Sequence, residues 1–314
     1  MNRIIGKHDG GGNEVLLVLL GAVHGNELAG IHAIQNVLDS IEKEGLKING
    51  KIVGIAGNLQ AIEAKKRFQS YDLNRAWTAD QIMAAERRGN KLPEDTELLE
   101  LHQLIESLGQ ENYQKKILID LHTTSADNGN FIVYPGEAKN DEVVQSLKLP
   151  VVINLENYIH GTLLHYAKAL GFQSSFAFEG GQIGSQKSIE LHTYGLWQIL
   201  TSSGIMDETH DLARHIHYEE LVGSLHSHNP KTVRVLHRHE VKQKDYFHMK
   251  PGFENFQRVE RGELLAEDKK GLIHAPMNGF IFMPLYQNTG NDGFFIVEEL
   301  DPLKRISKVN QVGK

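Results

Sequence analysis

Three short stretches carry residues that could hold a metal ion and do chemistry beside it. They are His24-Gly25-Asn26-Glu27, Asp120-Leu121-His122 and Glu179-Gly180-Gly181. Catalytic zinc is held by three protein ligands, often two histidines and one glutamate, with a position kept for water. His24 and Glu27, three residues apart, can reach one ion from a single turn. His122 is the best candidate for the third ligand, because it ends another apolar strand. Asp120 stands two residues earlier, so both side chains share one face of that strand. A carboxylate there can accept an imidazole N–H from His24 or His122, which fixes the tautomer and raises the ligand's basicity. Spacing alone is weak support, since His-x-x-Glu occurs three times, with other copies at His217–Glu220 and His237–Glu240. Only the first copy follows an apolar run and opens a helical pattern. A lone histidine is more often a packing or surface residue than a ligand. Glu179 closes an apolar stretch, where a carboxylate is costly unless paired or functional; a salt bridge to a lysine is the plainer of the two readings.

The elements that must position these residues are legible from hydrophobic periodicity. Val15 to Val23 is almost unbroken apolar sequence, which fits a strand buried on both faces of a parallel sheet. After it, Leu28, Ile31, Ile34, Val37, Leu38 and Ile41 mark a helix from about Glu27 to Lys43 that stops near Gly45. Open α/β sheets place their chemistry at such strand-to-helix junctions. Lys51–Ala56, Ile117–Leu121 and Ser174–Phe178 read as further strands. Leu59–Arg67, Pro93–Leu108, Thr162–Leu170 and Ser188–Ser203 read as helices. Phe68–Ala76 is a polar loop, and Met206–Pro230 a helix plus linker. This alternation predicts an α/β fold with a mixed, mainly parallel sheet flanked by helices. From Lys231 onward, KTVRVLHRHEV, GFENFQ, GELLAED, GLIHAP, GFIFMPLY and GFFIVEEL predict short strands. The expected division is therefore a catalytic α/β domain, 1–230, and a small β domain, 231–314.

Composition narrows the function classes. The 314 residues suffice for a full core, and a net charge of −7 argues against a nucleic-acid partner, whose binding surface is basic. Cysteine is absent, which excludes disulfides, thiolate-bound zinc and a thiol nucleophile. No apolar run is long enough to span a bilayer and the N-terminus lacks a signal-peptide core, so the expected location is cytoplasmic, without membrane contact. The composition is compatible with a homo-oligomer.

The motifs taken together are more specific than any one. His24-Gly-Asn-Glu27, Arg67 eight residues before Arg75 in RFQSYDLNR, Asp120-Leu-His122 and Glu179-Gly-Gly follow in order. They resemble the succinylglutamate desuccinylase/aspartoacylase family, which belongs with the zinc carboxypeptidases; the match spans about Val15 to Gly204. The absence of HExxH sets thermolysin-like zincins aside. The resemblance implies one zinc per chain, bound by His24, Glu27 and His122, with Glu179 as general base and acid. It also implies that Arg67 stabilises the oxyanion, that Asn74 and Arg75 bind a substrate carboxylate, and that Asp72 orients their loop. The implied substrate is a small N-acyl amino acid such as N-acetylaspartate or N-succinylglutamate, hydrolysed at its amide bond. A metallocarboxypeptidase on short peptides and a noncatalytic binding protein on the same fold are the alternatives. By the same resemblance the C-terminal β domain leans over the catalytic mouth, with Tyr286 a candidate to touch substrate. Aspartoacylases carry a further arginine upstream of the catalytic glutamate, where this chain has Ala169 with Lys168 beside it. Lysine offers charge without the bidentate fork, so the expected side-chain preference is broader than, or different from, that for N-acetylaspartate.

Overall fold

The computed structural model describes residues 1–89, 91–126, 128–207, 212–225, 230–286 and 290–300. The chain begins with β1 (Ile4–Asp9), β2 (Val15–Gly21), α1 (Ala29–Glu44) and β3 (Gly50–Ala56). Next come α2 (Leu59–Glu63), α3 (Ala79–Arg88), α4 (Pro93–Gln110), β4 (Lys115–Thr124) and β5 (Asn130–Val133). They are followed by α5 (Glu142–Ser146), β6 (Val151–Ile153), α6 (Leu163–Ala169), β7 (Ser174–Gln182), α7 (Gln186–Ser202) and α8 (Leu212–Leu225). The C-terminal part holds β8 (Thr232–Glu240), β9 (His248–Met249), β10 (Arg258–Val259) and β11 (Leu264–Asp268). It ends with β12 (Gly271–His274), β13 (Gly279–Phe282) and β14 (Asp292–Glu299).

One large sheet runs β1-β3-β2-β4-β7-β5-β6-β8-β14-β13-β10, and a small antiparallel sheet holds β12-β11-β9. The four central strands β3, β2, β4 and β7 are parallel. Their apolar runs follow from burial on both faces. Val15, Leu17 and Leu19 pack with α1 and α7, while Leu16, Val18 and Leu20 pack with α4 and α6. Every side chain of β2 is buried, and each such Leu or Val contributes roughly 1.5–3 kcal/mol. The α/β expectation therefore holds. Beyond β6 the sheet continues without a break, because β8 pairs with it in parallel at Val151–Ile153. Phe131, Val152, Val233, Phe282 and Phe295 form one apolar cluster across that junction.

Some sequence-based elements come out differently. The helix expected to Arg67 ends at Glu63, and Lys65 takes a positive φ of 52° that turns the chain toward the site. Residues 79–88, unassigned from periodicity, form α3, capped by the Thr78 side chain and burying only Ile82 and Ala85. GFENFQ is turn rather than strand: its Asn255 is buried and bonds the backbone of Asn128 and Met283. The expected helix within 206–230 is α8, whose flanks, 208–211 and 226–229, lie outside the described residues. Among the described residues no helix is long and apolar enough to cross a membrane.

Candidate active site

Sheet register assembles the site. β4 runs beside β2 with Leu121 opposite Gly21, and beside β7 with His122 opposite Glu179. After β2 the chain turns through Ala22, at φ 57°, and closes a tight loop in which Glu27 N–H donates to the His24 carbonyl. Gly25 is required there, since a Cβ would sit 2.2 Å from the Ala61 carbonyl carbon. The Gly25 N–H in turn donates to the Arg67 carbonyl, which ties the arginine loop to this turn.

His24, Glu27 and His122 are buried, and their ligand atoms lie within 4.8 Å of one another. His24 Nδ1 lies 2.8 Å from Glu27 Oε1, and His122 Nδ1 lies 3.0 Å from Glu27 Oε2. The opposite ring nitrogens face other carboxylates: His24 Nε2 is 3.1 Å from Asp72, and His122 Nε2 is 2.8 Å from Asp120. Asp120 thus serves His122, while Asp72 serves His24 as well as its own loop through the Asn74 N–H. With the Nε2 positions engaged by Asp72 and Asp120, both Nδ1 atoms face the Glu27 carboxylate, where each can ligate an ion once it is deprotonated. His24 Nδ1 is buried and makes no well-formed hydrogen bond despite its short distance to Glu27. Two imidazoles and one carboxylate converging with such an orphaned nitrogen fit a zinc ion's donor set.

Electrostatics fit the same reading. Burial pushes the Glu27 carboxyl up, but His24 and His122 outweigh it and hold it well below the usual carboxylate range. Burial opposes charge on His122, yet Asp120 and Glu27 overcome it and push the imidazole well above its ordinary value. Asp72 is likewise held low, against burial, by His24, Arg67 and Arg75. Glu179 behaves oppositely. Burial, reinforced by the negative charges of Glu27 and Asp120 and opposed by the two histidines, pushes it up to about 7. Its Oε2 has no partner and no salt bridge reaches it among the described residues, so the plainer lysine-pairing expectation fails.

The two glycines after Glu179 have separate causes. A Cβ on Gly180 would lie 2.3 Å from His192 Nε2, so the glycine lets that imidazole pack under β7. Gly181 takes a φ of 109° within β7, where the pairing with β4 shifts register between His122 and Thr124. His192 is fully buried, its Nε2 is 3.0 Å from the Phe178 carbonyl, and burial pushes it down to about 4. In the unfolded chain it would titrate near ~6.5. Between those values only the unfolded chain takes up the proton, so acidification through this window removes stability, by about 3 kcal/mol when complete. With metal chelated from both proteins, denaturant titrations at pH 7 and pH 4 should show the wild-type advantage over His192→Gln shrinking by about that amount. A constant difference would refute it.

The arginine loop is rigidly held. Buried Glu94 accepts the Gln69 and Ser70 N–H groups at 2.7 and 2.8 Å. Arg67 Nη1 donates to Glu27 Oε1 at 3.0 Å, with Asp72 at 3.5 Å. The Asn74 side-chain oxygen accepts the Leu163 N–H. Its amide nitrogen lies 3.3 Å from His122 Nε2, whose proton goes to the nearer Asp120, so the amide hydrogens remain for the cavity. Arg75 donates to the Asn74 carbonyl and, at 3.1 Å, to Asp292, which Arg238 also binds at 2.6 Å. Arg67, Asp72, Asn74, Arg75, Glu179, His24, Glu27 and His122 all line one cavity of about 130 Å³.

Lys168 and Tyr286 are not brought to it. Lys168 is exposed on α6, and the Tyr286 hydroxyl is taken up by backbone groups of Lys250 and Phe253. Neither lines the cavity, which corrects the expectation of substrate contacts for both. The C-terminal part instead contributes Asn255, Met283, Leu285 and Asp292 to the wall. Asp292 had no local signal beyond opening an apolar strand, because its partner Arg75 is 217 residues away.

A mainly parallel α/β sheet with a His–Glu–His cluster at its strand ends defines the class of protein to which this chain belongs. Residues 13–192 match the succinylglutamate desuccinylase/aspartoacylase catalytic domain, and the chain belongs to that family. It is 27% identical over 276 residues to the succinylglutamate desuccinylase of Pseudomonas paraeruginosa, covering 85% of this chain and 77% of that protein. It is 31% identical over 151 residues to a probable aspartoacylase of Prochlorococcus marinus, covering 47% of this chain and 46% of that protein. The crystal structure of the Vibrio cholerae succinylglutamate desuccinylase superposes with a TM-score of 0.62 at 17% identity, over 93% of this chain and 83% of that one. Family membership supports a hydrolase with deacylase activity.

Proposed function

We propose that this chain is a zinc-dependent amidohydrolase that removes the acyl group from an N-acylated amino acid. The observation that carries the reading is the convergence, on one cavity, of His24, Glu27 and His122 with Arg67 and an unpartnered Glu179. His24, Glu27 and His122 would hold the ion, which when bound polarises an amide carbonyl and makes water nucleophilic near neutral pH. Glu179, with its acidity tuned toward neutrality by burial, accepts a proton from the attacking water and returns it to the leaving nitrogen. Arg67, already beside the metal-site carboxylate, supplies a fixed positive charge where the oxyanion develops. Asn74 and the unused guanidinium hydrogens of Arg75 bind the substrate's carboxylate. We take 1–230 as the catalytic domain and 231–314 as a β part that shares its sheet; that this part completes the catalytic mouth is supported by the place of Leu285 and Asp292 in the wall.

The test is amine release from a panel of acetyl- and succinyl-amino acids with zinc supplied, run beside dipeptides. Hydrolysis of N-acyl amino acids with a free carboxylate next to the scissile amide is expected. Cleavage confined to dipeptides would make the chain a carboxypeptidase and sink the reading.

A further inference from the structure

The cavity has two chemically different walls. One carries the metal-site residues and the arginines; the other is built by Val133, Leu155, Ile159, Leu164 and Ala177. A smaller cavity continues this wall, sharing Val133, Leu155, Ile159, Thr162 and Leu164 and adding Pro135, Glu156 and His165. Among the described residues the cavity's only arginines or lysines are Arg67 and Arg75, and both already have anionic partners. A substrate carboxylate lodged against the apolar wall would lose its water without gaining a cation, whereas an aliphatic or aromatic group would bury there favourably. Asp292, a carboxylate beside Arg75 in the same cavity, would repel a second substrate carboxylate.

The apolar wall also has a defined place relative to Arg75. Gly161, between Ile159 and Leu164 in the chain, lies so close to Arg75 that a Cβ there would be 2.3 Å from its carbonyl oxygen. The Gly161 carbonyl accepts the Trp77 N–H at 3.0 Å, which fixes this contact. This contact is with the Arg75 backbone. The link to the side chains assigned to the substrate's α-carboxylate is Leu163, next to Leu164 of the wall: the Leu163 N–H donates to the Asn74 side-chain oxygen at 3.0 Å. The group attached next to that carboxylate is the amino-acid side chain.

We infer that this cavity selects N-acyl amino acids with an apolar side chain, of leucine or phenylalanine type, over acidic ones. The inference rests on the deacylase reading above and names its substrate class. The zinc-loaded full chain is assayed on N-acetyl-leucine, N-acetyl-phenylalanine, N-acetylaspartate, N-succinylglutamate and N-hexanoylglycine. Binding of free leucine and free aspartate is measured by calorimetry in parallel. Either apolar acetyl-amino acid is expected to exceed N-acetylaspartate in kcat/KM by about tenfold or more, with leucine binding more tightly than aspartate. Val133→Thr, nearly isosteric, and Ile159→Asn should each narrow that ratio, with thermal melts showing which variants are folded. A preference for either acidic substrate overturns the inference. A preference for N-hexanoylglycine over N-acetyl-leucine also overturns it, by assigning the wall to the acyl chain. If only dipeptides are cleaved, the deacylase reading falls, and the leucine-against-aspartate comparison still decides whether the wall selects apolar side chains.

Discussion

A His122→Ala chain is expected to emerge from purification with only traces of zinc and to lose activity by well over a hundredfold. His122 offers Nδ1 to the cluster and is oriented through Nε2 by Asp120. Removing an orienting partner such as Asp120 typically weakens metal binding by roughly 10- to 100-fold, so removing the ligand itself should exceed that. Asp120→Asn should therefore fall between wild type and His122→Ala in a zinc titration, and His24→Ala should match His122→Ala. The two carboxylates hold His122 in its protonated form without metal, so zinc must displace that proton. Affinity should accordingly fall as pH is lowered. Metal analysis that finds a full zinc complement in both His24→Ala and His122→Ala would sink the ligand assignment.

Glu179→Gln keeps the shape of the side chain and removes its ability to carry a proton. The expected result is a fall in kcat of about 10²- to 10⁴-fold, the usual worth of a positioned general base. KM and zinc content should change little, because Glu179 lies outside the His24–Glu27–His122 ligand group. Stability should not fall, since burial already disfavours the charged carboxylate at this position. A variant that hydrolyses the best substrate as fast as wild type would remove Glu179 from the chemistry.

Much of the catalytic half was legible because its signals are local. An apolar run such as Val15–Val23 must be buried on every side, and its short length and Val content suit a strand covered on both faces. A polar His24-Gly-Asn-Glu27 where that run stops marks the end of the strand. α1 stops at Gly45, as anticipated, and the glycine takes the left-handed conformation there, again a property of a few neighbouring residues. The elements misread were those whose local signal is weak. α3 buries too few side chains to show a stripe, and GFENFQ has a strand's composition but is held as turns by Asn255 and Asn128.

What the tertiary structure alone decided are the pairings between distant residues. Parallel register placed Glu179 opposite His122, and nothing along the chain specifies which strands become neighbours. The same packing gave His24 to Asp72 and His122 to Asp120, where the sequence left Asp120 open to either histidine. It turned Lys168 and Tyr286 away from the cavity and brought in Asp292 from β14. The apolar wall of Val133, Leu155, Ile159 and Leu164 belongs to this group too. Each of those residues reads in sequence as ordinary core. Lining a cavity depends on which buried surfaces fail to meet, and that is a property of the packed structure, not of any segment.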